Sequence, residues 1–248
     1  MEEISLRTKR MNPLELFKAG KLDEAIGALG EQLRQNPADG KGRTFLFELL
    51  CFAGNYDRAE KQLDILGQSG PQAELGAIFC RGLLQATRTR EEVYSHRQAV
   101  AAEVDGKDAP GVLDGVPFQS LVDADLRVGA NLEVYAGGSY LLIPFSLVQS
   151  VELPAPRRLR DLLWIPAVIR TTPAYQGREL GETMLPALTP FSAAHPSDAV
   201  RLGRETVWET TETGDSFPAG QKIWLADGEE KPLLEARKLE FVSAAAAS

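Results

Sequence analysis

Apolar residues recur at helical spacing in the N-terminal part of the chain and fall into short strand-like runs after it. Leu22, Ile26, Leu29 and Leu33 share one helical face, as do Tyr56, Leu63 and Leu66, so two amphipathic helices each have a stripe to bury. Residues 131–136 and 139–143 flank Gly137-Gly138, a two-residue connection that permits positive φ at both positions and predicts a hairpin. Residues 149–153, 167–171, 183–188, 205–211 and 221–226 read as further strands between Pro, Gly and Asp turns, and 120–126 and 157–164 as brief helical turns. The pattern predicts an α+β chain whose second half is mostly antiparallel sheet, with a partly open barrel as one arrangement.

Proline places the change. Pro13, Pro37 and Pro71 are the three prolines of the first 105 residues, and the other twelve follow, together with Trp164, Trp208 and Trp224. Helix interiors reject proline; loops and edge strands tolerate it. The stretch Asp105-Gly106-Lys107-Asp108-Ala109-Pro110-Gly111 reads as a linker. This predicts a helical domain over 1–105, a β-rich domain over 106–242 and an unburied Ala-rich tail over 243–248.

The helical part repeats with a period of 34. Residues 19–25 (AGKLDEA) align with 53–59 (AGNYDRA), and the same offset carries Leu16 to Leu50, Leu29 to Leu63 and Pro37 to Pro71. That period resembles tetratricopeptide repeats. Gly20 and Gly54 would end helices in the left-handed conformation, Ala25 and Ala59 would keep paired helices close, and Pro37 and Pro71 would stop the second helices. A third, degenerate unit would turn at residues 87–93. In the register of the repeat, Lys41, Thr44, Glu48 and Cys51 of the second unit and Leu75, Ile78, Gly82 and Gln85 of the third face the concave side. There they either take a peptide or pack against the following domain.

With 27 basic against 35 acidic residues, the net charge of −8 argues against nucleic acid and anionic membrane as partners. No apolar run is long enough to span a bilayer. The first residues lack the pattern of a signal peptide, and Cys51 and Cys80 read as reduced core residues, which together predict a cytoplasmic protein. Candidate chemistry is sparse. His96 reads as a solvated helix residue and His195 as a loop residue; Asp123 and Asp125, with Asp114 upstream, read as partners of Arg127 or as caps sooner than as a cation site. Nucleotide-binding and nucleophile-elbow motifs are absent, so no enzyme and no cofactor is expected.

The whole chain resembles the ImpE/TagJ (SciE-type) family of type VI secretion accessory proteins. The residues that carry the resemblance are 121–127 (LVDADLR), 140–145 (YLLIPF), 159–167 (LRDLLWIPA), 201–208 (RLGRETVW) and 239–241 (LEF). It implies a bacterial, cytoplasmic, non-enzymatic protein with a helical-repeat part fused to an α+β part. Its implied partners are the small sheath subunit, held by an amphipathic helix, and the AAA+ ATPase that disassembles contracted sheath. Two other classes stay open from the residues alone. One is a general repeat scaffold or chaperone-like adaptor unconnected with secretion, which neighbouring genes would separate. The other is a hydrolase or metal enzyme built on Asp123, Asp125 and His195, which metal analysis would test.

Overall fold

The computed structural model describes residues 11–96, 109–177, 180–210, 214 and 216–242. The boundary expected at 105/106, the tail at 243–248 and the side chain of His96 lie outside them. Among the described residues five helices come first: α1 (Pro13–Lys18), α2 (Leu22–Gln35), α3 (Gly40–Phe52), α4 (Tyr56–Gly67) and α5 (Pro71–His96). Asn12 and Glu15 cap α1 reciprocally, each side chain bonding the other's backbone N–H, with Pro13 at the first helical position. Gly20 and Gly54 follow α1 and α3 at φ 75° and 67°, as the repeat pattern requires. Ala25 and Ala59 are fully buried between paired helices.

Two expectations for the repeats are corrected. Pro71 does not stop α4, which has ended at Gly67; it opens α5, where a residue without an N–H costs no hydrogen bond. The third unit does not turn at residues 87–93, because α5 runs unbroken for 26 residues. No Gly or Pro interrupts residues 83–96, and the added turns bury Arg90 and Tyr94 against the second half of the chain. Among the described residues the array is two helix pairs followed by one long helix.

The second half carries thirteen strands among the described residues: β1 (Gly111–Leu113), β2 (Val116–Phe118), β3 (Leu121–Asp123), β4 (Asn131–Ala136), β5 (Ser139–Pro144), β6 (Val148–Glu152), β7 (Trp164–Thr171), β8 (Thr183–Pro186), β9 (Val207–Thr210), β10 (Ser216–Ala219), β11 (Ile223–Ala226), β12 (Glu229–Pro232) and β13 (Lys238–Phe241). All pairings are antiparallel. An eight-stranded sheet in the order β2-β1-β13-β6-β7-β8-β4-β5 stays open, with a three-stranded sheet β12-β11-β3 and a hairpin β9-β10 beside it. The β4–β5 turn has Gly137 and Gly138 at φ 55° and 78°. Residues 120–126 are not a helical turn. Leu121 and Asp123 alternate inward, and β3 pairs with β11 so that Asp123 lies opposite Trp224. The turn expected at 157–164 is a 3-10 turn over Leu159–Leu162, and β7 starts at Trp164.

The two halves share a core. The repeat cluster of Leu22, Leu29, Leu50, Leu63 and Leu84 continues into Tyr135, Leu163, Trp164 and Met184. The Trp164 ring lies 6.5 Å from Phe47, and its indole N–H donates to Thr87 Oγ1 at 3.2 Å. A short helix α6 (Asp198–Arg201) clamps the far end: Asp198 accepts the Leu22 N–H at 2.8 Å, capping α2 from 176 residues away, and Arg201 pairs with Asp23 at 2.9 Å. A second core, around Val134, Ile143, Val151, Ile165 and Trp224, fills the sheets alone. Among the described residues no helix is long and apolar enough to cross a membrane.

Candidate functional site

The positions that the repeat register assigns to the concave side divide into exposed and covered residues. Lys41 and Thr44 stand exposed on the first turns of α3, and on α5 Leu75 and Ile78 expose 65% and 55% of their surface. Leu14 of α1, one period before Glu48, exposes 50%. Large apolar side chains of comparable exposure also stand elsewhere on the surface, Val116, Leu126 and Val168 among them. Gln85 is exposed farther along α5. The inner part is covered by the β-rich half. Cys51 is buried in the shared core, and burial raises its thiol pKa well above the ordinary value. Gly82 lies against the β4–β5 turn, where an added Cβ would come within 3.3 Å of Gly138 Cα.

Glu48 sits on the border. Burial pushes its pKa up to about 7 against the opposing pull of the nearby Arg160 and Arg158. Burial raises the Cys80 thiol pKa on α5, against the opposing pull of the nearby Arg160. The turn carrying Arg160 is fixed by Asp161, whose carboxylate accepts the N–H groups of Arg157 and Arg158 at 2.8 and 2.9 Å.

A second constellation is buried where α5 meets β3 and β4. Glu133 accepts both arms of Arg90 at 2.7 Å, Lys222 Nζ at 2.6 Å and the Tyr140 hydroxyl at 2.8 Å. Lys222 also pairs with Asp123, whose other oxygen accepts the Asp125 N–H at 2.9 Å. Asp125 holds Arg127 bidentately at 2.8 and 2.6 Å, and the Arg127 guanidinium lies 4.4 Å from the Phe217 ring centroid. Arg90, Asp123, Glu133 and Lys222 are all buried, two cations against two anions. Burial alone would raise the Glu133 pKa, but Arg90 and Lys222 outweigh it and hold the carboxyl far below the usual range. For Asp123 burial prevails over Lys222 and the pKa rises to about 6.

This arrangement ties α5 to the β-rich half through Arg90 and Glu133. The cavity touching Arg90 holds about 40 Å³, room for one or two waters, against several hundred for a metabolite site. Asp125 pairs with Arg127 as the spacing suggested, whereas Asp123 turns to Lys222. His195 belongs to a different neighbourhood, where its Nδ1 accepts the Ser197 N–H at 3.0 Å and its Nε2 lies 3.4 Å from Glu209. Asp114 accepts the N–H groups of Arg237 and Lys238, both at 2.8 Å. Among the described residues no three His, Cys, Asp or Glu side chains gather as a metal site.

Comparison with known proteins agrees with both halves of this description. Residues 115–240 match the family model described as ImpE protein, and residues 16–78 match a tetratricopeptide repeat model. The second match ends before residues 87–93, where α5 departs from the repeat. The "type VI secretion system accessory component TagJ" of Pseudomonas aeruginosa is 34% identical, with 92% of this chain and 90% of that one covered. The fold is shared with a crystal structure of a Vibrio parahaemolyticus protein at a TM-score of 0.82 and 22% identity, covering 95% of this chain and 99% of that one. The chain belongs to the ImpE family, with the type VI secretion accessory component TagJ among its relatives.

Proposed function

We propose that this protein is a non-enzymatic, cytoplasmic adaptor of a bacterial type VI secretion apparatus. It binds the small sheath subunit by an amphipathic helix of that subunit and links it to the AAA+ ATPase that disassembles contracted sheath. The observation that carries this reading is the open part of the concave face, where Leu75 and Ile78 stand exposed on a helix whose neighbours are fixed. Anchors of a partner helix at i, i+3 and i+7 fit such a surface. Lys41 and Thr44 flank it, Glu48 lies at its inner border, and Gln85 is reached by a longer helix. The buried charge cluster and the kinship with a protein named as an accessory component support a binding role over a catalytic one.

The test is a titration of the full chain against the small sheath subunit of the same organism. Saturable binding at micromolar or tighter Kd, weakened at least tenfold by Ile78→Asp with the circular-dichroism spectrum unchanged, is expected. Equal affinity of parent and folded variant would remove the groove from the account.

A further inference from the structure

We propose that the seam between the repeats and the β-rich half holds a buried, ordered water that bridges the Tyr135 hydroxyl of β4 and the Glu91 carboxylate of α5. The proposal stands apart from the groove reading and concerns how the two halves are joined. Its site is the cavity of about 40 Å³ whose walls include Cys51 of α3, Tyr56 of α4, Arg90 and Glu91 of α5, Tyr135 of β4 and Phe191. Both halves of the chain therefore contribute to the walls, and a molecule held there touches each of them.

An account of the polar groups around the cavity singles out these two residues. Arg90 gives its guanidinium to Glu133 and to the Leu188 carbonyl. The Thr87 hydroxyl donates to the Leu83 carbonyl at 2.9 Å and accepts the Trp164 indole N–H at 3.2 Å. The hydroxyls of Thr189 and Ser192 bond each other at 2.7 Å. Glu91 accepts the Tyr56 hydroxyl at 2.7 Å through one oxygen, and a carboxylate has sites for further donors. The Tyr135 hydroxyl is buried, and no described protein atom meets it in hydrogen-bond geometry. Burial pushes its pKa up to about 12, so at neutral pH it keeps its proton and can donate. A buried hydroxyl left unmet is costly, and a water that accepts from Tyr135 and donates to Glu91 meets it. The cavity is roomy enough, since one water needs only roughly 10–15 Å³ of such space.

The experiment is a crystal structure of the full chain at a resolution that shows ordered waters, paired with urea unfolding of two variants. The parent should show a density peak within hydrogen-bond distance of both the Tyr135 hydroxyl and the Glu91 carboxylate. Tyr135→Phe keeps the ring and removes the hydroxyl, so its crystals should lose the peak and its unfolding midpoint should fall below the parent's. Tyr56→Phe takes a different donor from the same carboxylate and should leave the peak in place. Three results overturn the proposal: a parent cavity without the peak, a Tyr135 hydroxyl bonded directly to Thr87 Oγ1, or a Tyr135→Phe midpoint equal to or above the parent's. The last is what deleting an unsatisfied hydroxyl gives, with no water to lose. If Tyr135→Phe fails to fold, the parent's density decides alone.

Discussion

Replacing Glu133 by Gln keeps the shape of the side chain and removes the charge that two buried cations share. The parent cluster balances Arg90 and Lys222 against Glu133 and Asp123 through contacts of 2.6–2.8 Å at Glu133. The variant leaves two cations facing one carboxylate, with less than a tenth of any of these residues exposed. Breaking a buried pair from one side costs about 3–5 kcal/mol, because the partner's charge stays buried without compensation. That is a large share of the roughly 5–15 kcal/mol that holds a typical domain folded. With an m-value of about 3 kcal/mol/M in urea, the unfolding midpoint should fall by about 1 M. The double variant Arg90→Met, Glu133→Leu leaves Lys222 and Asp123 as a balanced pair, so it should lose less than either single change. A midpoint shift in Glu133→Gln worth under about 1 kcal/mol, or a double variant as weak as the sum of the singles, would refute the claim that the cluster ties α5 to the β-rich half.

Glu48 has a folded pKa of about 7 against an ordinary 4.5, so the native state holds its proton more tightly than the unfolded chain does. The stability this contributes is full below about pH 4.5 and is lost as pH rises through 7, up to a ceiling of about 3 kcal/mol. Glu48→Gln should flatten that dependence and exceed the parent in urea midpoint above pH 7; equal slopes from pH 4.5 to 8 would contradict it. Asp198→Ala removes the remote cap of α2 and should cost about 1 kcal/mol. Hydrogen exchange should quicken first at the start of α2, and unchanged exchange there would show the cap to be idle.

The repeat was legible because its signals are local and doubled: Gly20 with Gly54 and Ala25 with Ala59 carry the same backbone and packing demands 34 residues apart. The third unit was misread because its helix is continued by contacts that no neighbouring residue records. Arg90 meets Glu133 43 residues on, and Lys222 meets Asp123 across 99. The same separation hid the charge cluster, whose members appear singly among apolar neighbours, as Glu133 does between Leu132 and Val134. Strands β1, β2, β10, β12 and β13 have three or four residues each, too few for alternation to emerge. Leu121–Asp123 shows the converse, since a run of three fits a helical turn as well as a strand until its partner β11 is known. The divided groove was beyond the sequence as well. Repeat register places Glu48, Cys51 and Gly82 on the concave face, and only tertiary packing brings Arg160 near Glu48 and the turn at Gly138 against Gly82.

The central claim, that the open part of the concave face holds a helix of the small sheath subunit, is tested most directly by hydrogen exchange of the full chain with and without that subunit. The account predicts added protection in the first turns of α3 and in the first two turns of α5, around Thr44, Leu75 and Ile78. Binding that protects the β-rich half alone, or leaves α3 and α5 unchanged, would contradict it.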